Sequence, residues 1–396
     1  MGSGLTYLNE LAALSKLRSL ALGGTQFKEE NLKDLAGLWQ LRSLSLESNY
    51  ATFGSGLRQL AALPELRSLD FSYNLLSEAG TKELGGLRSL ETLVLQNTTP
   101  ASDRGPVPRR PWPDGLADLA GLTNLRTLDL RGNPGVNDDG MSALAPLARL
   151  ETLTLQQTGV TDAGLPRLRA LQSLQALNLM GTKVGDSGAL ELANFRQLRG
   201  LNLSYTQMTD SGIKSLAALR QLRSLELDQL PLTDAGLQEL TALQGLEKLT
   251  LNGTAISGAG LTKLGAFRQL QELAIAETKA TDLVLVEIGR LIELTTLDLS
   301  ATLITDAGLK HLAPLQHLES LRLYGSKVTD AGMKDLAALA GLRKLDLEMC
   351  RQVSDAGIKE LAALKQLRFL KIMGTSASPR GIEKLRETLP GLLTDR

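Results

Sequence analysis

Apolar and polar positions recur with one period along almost the whole chain, as Leu-x-x-Leu-x-Leu followed by a polar stop, and most copies continue into Thr-Asp-Ala-Gly-Leu-x-x-Leu-Ala. The leucine opening each Leu-x-Leu falls at Leu20, Leu44, Leu69, Leu93, Leu128, Leu153, Leu177, Leu201, Leu225, Leu249, Leu273, Leu297, Leu321, Leu345 and Leu370. Steps are 24 or 25 residues, with one of 35 between Leu93 and Leu128. Within a copy the period switches from two to helical. Leu297-Asp298-Leu299 reads as a short strand burying both leucines and exposing Asp298, whereas Leu309 and Leu312 share one face of a helix of about two turns that Pro314 helps to end. Thr305 and Asp306 supply its N-cap chemistry.

Two further columns constrain the backbone. Thr302 closes its strand, and the same place holds Asn49, Asn74, Asn133, Thr158, Thr182, Cys350 and similar residues, suited to satisfying turn groups that a stacked sheet buries. Leu230, followed by Pro231, interrupts that column. A glycine stands in the first helical turn of nearly every copy, with Asn31 and Val284 departing. Because glycine costs a helix about 1 kcal/mol against alanine, its recurrence predicts close packing of each helix start on its neighbour.

The period lies within the roughly 20–29 residues of leucine-rich repeats. The expected fold is an α/β solenoid, a horseshoe of about fifteen strand-helix repeats with a parallel sheet on the concave face and short helices on the convex face. One domain is expected over 1–396: a partial repeat at 1–16, strand-bearing repeats at 17–375, a C-terminal helix and cap at 376–396, and an insertion loop at about 99–113. Leu5, Leu8, Leu11 and Leu14 resemble the back half of a repeat whose strand is absent, as in a chain cut from a longer protein.

The copies Gly212-Ile213-Lys214-Ser215-Leu216-Ala217 and Gly308-Leu309-Lys310-His311-Leu312-Ala313 resemble the repeats of bacterial GALA effector proteins. Cys350-Arg351-Gln352-Val353-Ser354-Asp355-Ala356-Gly357-Ile358 is similar to the cysteine-containing repeats of F-box substrate receptors. The resemblance implies a bacterial, effector-like binding protein. Most copies carry threonine where the receptors carry cysteine, and fold alone does not settle activity.

Composition narrows the chemistry. Lys plus Arg equal Asp plus Glu at 43 each, so no charge excess points to nucleic acid or an anionic membrane, and neither is an expected partner. The one cysteine excludes an intramolecular disulfide framework, which points to an intracellular site of action, reached by translocation if the chain is an effector; no signal-peptide pattern opens it. His311 and His317 have no partners at metal-ligand spacing, Cys350 lacks a nearby histidine, and no phosphate loop is present. No catalytic group, metal or cofactor is expected.

Exposed columns carry the functional expectation. The residue between the strand leucines and the residue two further on line the sheet face, and most are small and polar. The C-terminal end differs, with Arg322, Tyr324, Asp346, Glu348, Met349, Phe369, Lys371 and Met373 combining charge with aromatic and thioether groups favoured at interface hot spots. The insertion adds Arg104, Arg109, Arg110 and Trp112 among prolines. A third column begins Arg18, Arg42, Arg67 and continues with alternating signs. Two readings follow: a noncatalytic protein-binding scaffold using the concave face and the insertion loop, or the targeting module of a larger bacterial effector or ubiquitin-ligase receptor. The partner is a protein, and the chain is a monomer unless its open N-terminal repeat pairs.

Overall fold

A computed structural model of the chain describes residues 14, 16–101 and 112–395, with the backbone alone at 99–101 and 112–114. Residue contacts divide it into two units, 1–200 and 201–396. Each is a stack of leucine-rich repeats.

All fifteen strands expected from the leucine register form, each three residues long. In the first unit Ser19–Ala21 pairs in parallel with Ser43–Ser45, and the ladder continues in chain order to Ala176–Asn178. In the second, Ser224–Glu226 starts a parallel ladder that runs to Phe369–Lys371. Register is leucine on leucine throughout, because a one-residue slip would turn the buried side chain outward. From Leu44 onward these leucines are almost wholly buried, as are those of the helical face such as Leu309, Leu312, Leu336 and Leu361, whereas Leu20 is half-buried.

The polar columns hold the turns together in two ways. Threonines close their own turn: the Thr158, Thr182 and Thr302 hydroxyls each donate 2.6 Å to the carbonyl three residues back. Asparagines also reach across repeats. Asn133 Nδ2 donates to Leu130 O at 2.9 Å and to Leu95 O of the preceding repeat at 2.7 Å. Cys350 follows the asparagine pattern, its buried thiol donating to Leu323 O at 3.1 Å. Leu230 occupies the column with an apolar side chain that is itself buried. The turn beyond each strand needs one left-handed residue. Gly132, Gly181 and Gly253 supply it, yet so do Tyr73, Tyr205 and Met349 at φ 57°, 58° and 60°. Each non-glycine residue there is strained by about 1–2 kcal/mol, and its N–H is held by the next repeat, as in Met349 N to Met373 O at 2.8 Å.

The Thr-Asp pair works differently from its sequence reading. Thr305 caps its own helix, accepting from Ala307 N at 3.3 Å. Asp306 does not cap; its carboxylate receives Thr329 N at 2.8 Å and the Thr329 hydroxyl at 2.6 Å from the following repeat. The same staple joins Asp138 to Thr161 in the first unit and Asp210 to Thr233, Asp234 to Ser257, Asp282 to Thr305 and Asp330 to Ser354 in the second. It also explains the glycines. A Cβ on Gly164 would lie 2.5 Å from Asp138 Oδ1 and one on Gly308 2.6 Å from Asp282 Oδ1. Val284 departs where the preceding repeat carries Gly258 in place of the aspartate, and it is fully buried.

Three features extend the expected architecture. Helices are mixed: Asp306–Leu309 is α and Lys310–Leu312 3-10, while Glu29–Leu35 and Ser55–Ala62 are 3-10 throughout. Thr52–Phe53, Leu75–Ser77 and Thr99–Ala101 form a second, three-stranded parallel sheet beside the main one. Within the insertion expected at about 99–113, Thr99–Ala101 is a strand and the helix Trp112–Asp118 starts, and residues 102–111 lie outside the described residues. At the C-terminus, Pro379–Thr388 is helical, and Leu393–Thr394 adds a strand paired with Phe369–Lys371. No helix among the described residues is long and apolar enough to cross a membrane.

Candidate interaction surface

Three adjacent strands of the second unit, Ser320–Arg322, Lys344–Asp346 and Phe369–Lys371, set the candidate side chains in rows. Register aligns Arg322, Asp346 and Lys371 in one row and Ser320, Lys344 and Phe369 in another, on either side of the buried leucines. Between the rows lies a depression of about 270 Å³, lined by these six residues with Leu321 and Leu345. The structure thus unites Arg322, Asp346, Phe369 and Lys371. Tyr324, Glu348 and Met373 stand two residues on from the row of Arg322, Asp346 and Lys371. Phe369, Tyr324 and Met373 are 47%, 44% and 57% exposed, while Met349 is half-buried at its left-handed turn.

Charges around the depression are mostly matched. Arg322 Nη1 lies 3.4 Å from Asp298 Oδ2, and Lys371 Nζ lies 3.2 Å from Glu348 Oε2 and 3.7 Å from Asp346 Oδ2. The Glu348 hydrogen bond, with the charges of Asp346 and Glu348, raises the Lys371 pKa above the ordinary lysine value. Asp346 Oδ1 accepts from Glu348 N at 3.0 Å. Lys344 differs: its ammonium lies 5.9 Å from the centre of the Phe369 ring, in cation–π range, and among the described residues no carboxylate lies within ion-pair distance of it. Such exposed pairs contribute about 0–1 kcal/mol each, so they orient side chains more than they stabilise the fold.

Ser320 and Lys344 belong to the site although neither was expected there. Alternation along Lys344-Leu345-Asp346 places both residues flanking the leucine on the same exposed face; the columns read from the sequence took only the residue after it. Other expected positions are covered. Asp129 and Thr250, and Ser72 and Ser204 in the second column, are buried. Burial raises the pKa of Asp129 and of Asp228.

Of the insertion residues, Arg104, Arg109 and Arg110 lie outside the described residues, and Trp112 opens a helix. Several arginines of that column are paired, Arg67 with Glu91 at 3.7 Å, Arg223 with Glu247 at 3.4 Å and Arg343 with Glu319 at 3.5 Å, and Arg42 and Arg67 share Glu65. His311 is half-buried and His317 exposed. Burial pushes the Cys350 thiol pKa up, which opposes nucleophilic use. No group of three His, Cys, Asp or Glu side chains among the described residues is arranged to hold a metal.

Fold and repeat chemistry together define a leucine-rich-repeat protein, a class whose members generally act as interaction scaffolds. A Leucine Rich repeat family model matches residues 121–145, 170–193, 197–217, 315–337 and 342–362. An internalin from Listeria monocytogenes is similar in structure, with TM-score 0.62, 23% identity, and coverage of 85% of this chain and 88% of that one. A leucine-rich-repeat protein from Leptospira interrogans gives 0.63 and 23%, over 99% and 93%. A TLR13–ssRNA13 complex gives 0.62 and 21%, over 96% of this chain and 56% of that one. At these identities the likeness is one of fold. No match is found among curated proteins.

Proposed function

We propose that the chain is a noncatalytic scaffold that binds a protein partner on the sheet face of its second unit, with the insertion at about 99–113 as a separate contact. One observation carries the proposal: Phe369, Tyr324 and Met373 are exposed among charged residues on a face whose other positions carry no aromatic side chain and are mostly small or polar. Aromatic, arginine and methionine side chains are enriched where interfaces concentrate their energy. Asp346 and Glu348 on the same rows favour a protein over a polyphosphate.

The test is differential capture. Proteins retained by the wild-type chain are compared with those retained by a Tyr324→Ala, Phe369→Ala, Met373→Ala variant and by a helix-face control, Leu283→Lys. Partners kept by the control and lost by the triple variant are expected. Capture that is indifferent to the triple variant refutes the sheet face as the binding surface.

A further inference from the structure

The charges that line the depression are unequal, and one cation is unmatched, in a way that selects a ligand. Its lining contains three cations, Arg322, Lys344 and Lys371, and one carboxylate, Asp346. The neighbouring carboxylates are engaged: Asp298 by Arg322, Asp346 by Lys371 and the Glu348 N–H, and Glu348 by Lys371. Cationic capacity is left over. Arg322 gives Asp298 one of the five N–H donors of a guanidinium, and Lys344 lacks a carboxylate partner among the described residues. Beside these cations is apolar surface, Phe369 in the row of Lys344 and then Leu393, which register places next to Phe369 and which is 59% exposed.

Resting on the sheet-face proposal above, we infer that this depression receives a segment of the partner protein in which an Asp or Glu stands beside leucine or phenylalanine. The carboxylate is taken by Lys344 and Arg322, and the apolar side chain packs on Phe369 and Leu393. A basic segment meets uncompensated like charge. A purely acidic one leaves the ring uncovered, and a nucleic acid places successive phosphates against Asp346 and Glu348 as well as the cations.

The test uses the full chain and three fluorescein-labelled peptides in fluorescence anisotropy: GSLDLEFSG, its basic counterpart GSLKLKFSG, and GSSDSESSG without apolar residues. A single-stranded RNA 12-mer is run in parallel. The first peptide is expected to bind at least about tenfold more tightly than the other two, and to weaken as salt rises. Lys344→Glu should cost it about tenfold and bring GSLKLKFSG above it; Phe369→Ala should cost about fivefold or more. Both residues are exposed, so thermal midpoints within a few degrees of wild type confirm that folding is intact. Equal binding of the basic peptide, or tighter binding of the RNA, overturns the inference. Panning a random nonapeptide library separates it from the broader proposal. Selected peptides that lack acidic residues but lose binding in Phe369→Ala defeat the inference alone, whereas selected peptides indifferent to both Phe369→Ala and Tyr324→Ala defeat both.

Discussion

Replacing Asp210 and Gly236 by alanine, singly and together, tests whether the repeated glycine exists to make room for the repeated aspartate. Asp210 Oδ1 accepts from Thr233 N at 2.9 Å, and Oδ2 accepts from the Thr233 hydroxyl, which in turn accepts from Ala235 N at 3.3 Å. Asp210→Ala removes two charge-assisted hydrogen bonds at a half-buried position and is expected to cost about 2 kcal/mol. Gly236 is buried, and the three atoms a Cβ would approach most closely all belong to Asp210. Gly236→Ala therefore strains the staple by about 2 kcal/mol and returns about 1 kcal/mol of helix propensity, a net cost of about 1 kcal/mol. In the double variant the carboxylate that the methyl would displace is gone. Its expected cost is about 1 kcal/mol, against about 3 kcal/mol for the sum of the singles, a coupling of about 2 kcal/mol. Urea unfolding followed by circular dichroism, with the four proteins fitted together, measures it. Additivity within about 0.5 kcal/mol would refute the steric account of the glycine column. The chain already contains one natural version of the double change, Gly258 followed by Val284.

Asn133→Ala should destabilise by about 2–4 kcal/mol, because the carbonyls of Leu95 and Leu130 lose a buried donor; Asn133→Thr, which restores only the bond within its own turn, should recover part of this in the same unfolding assay. Cys350 should resist a thiol-specific disulfide reagent in the native protein and react once urea unfolds it, since its sulfur is buried, hydrogen-bonded and held protonated; rapid native labelling would contradict that placement. For Asp228, burial raises the folded-state pKa above the unfolded value, so the folded protein binds this proton at higher pH and stability falls as pH rises through the interval between the two values. Asp228→Asn keeps the acceptor for Asn252 N and removes that slope; its urea midpoint relative to wild type should be higher at pH 7 than at pH 3, and the reverse order would show that the carboxylate is favoured in its charged form.

Leucine spacing made every main strand legible because the interval between buried side chains is set by stacking geometry that all copies share. Asp306 was not legible. An aspartate after threonine at a helix start reads equally well as capping chemistry or as a link to a residue 23 positions later, and only the stacked neighbour distinguishes them. The second sheet escaped for a related reason. Thr52–Phe53 and Leu75–Ser77 are too short to show alternation, and they pair because stacking has already brought equivalent positions together. Leu393–Thr394 pairs without a Leu-x-Leu signature because Phe369–Lys371 offers it an open edge.

The candidate site was half legible, and the missing half follows from which residues the scaffold leaves free. Leucines fill the interior, Asp, Thr and Gly fix the helix starts, and Asn and Thr close the turns; the two residues flanking each strand leucine are left with few structural duties. Some still serve the fold, as Asp129 does, buried and accepting from Arg131 N at 3.0 Å. Where they remain exposed, their identity is cheap to change in stability terms. Among the described residues the side chains of Lys344 and Phe369 make no hydrogen bond that holds a neighbouring backbone in place, and substitutions at such surface positions shift stability by about 0.5 kcal/mol or less. A phenylalanine 47% exposed beside an unmatched lysine is therefore not required by folding. If Lys344→Glu and Phe369→Ala leave the urea midpoint unchanged while removing peptide binding, the two duties are separable at these positions. If either unfolds the C-terminal repeats, the exposed rows belong to the scaffold and the functional assignment loses its basis.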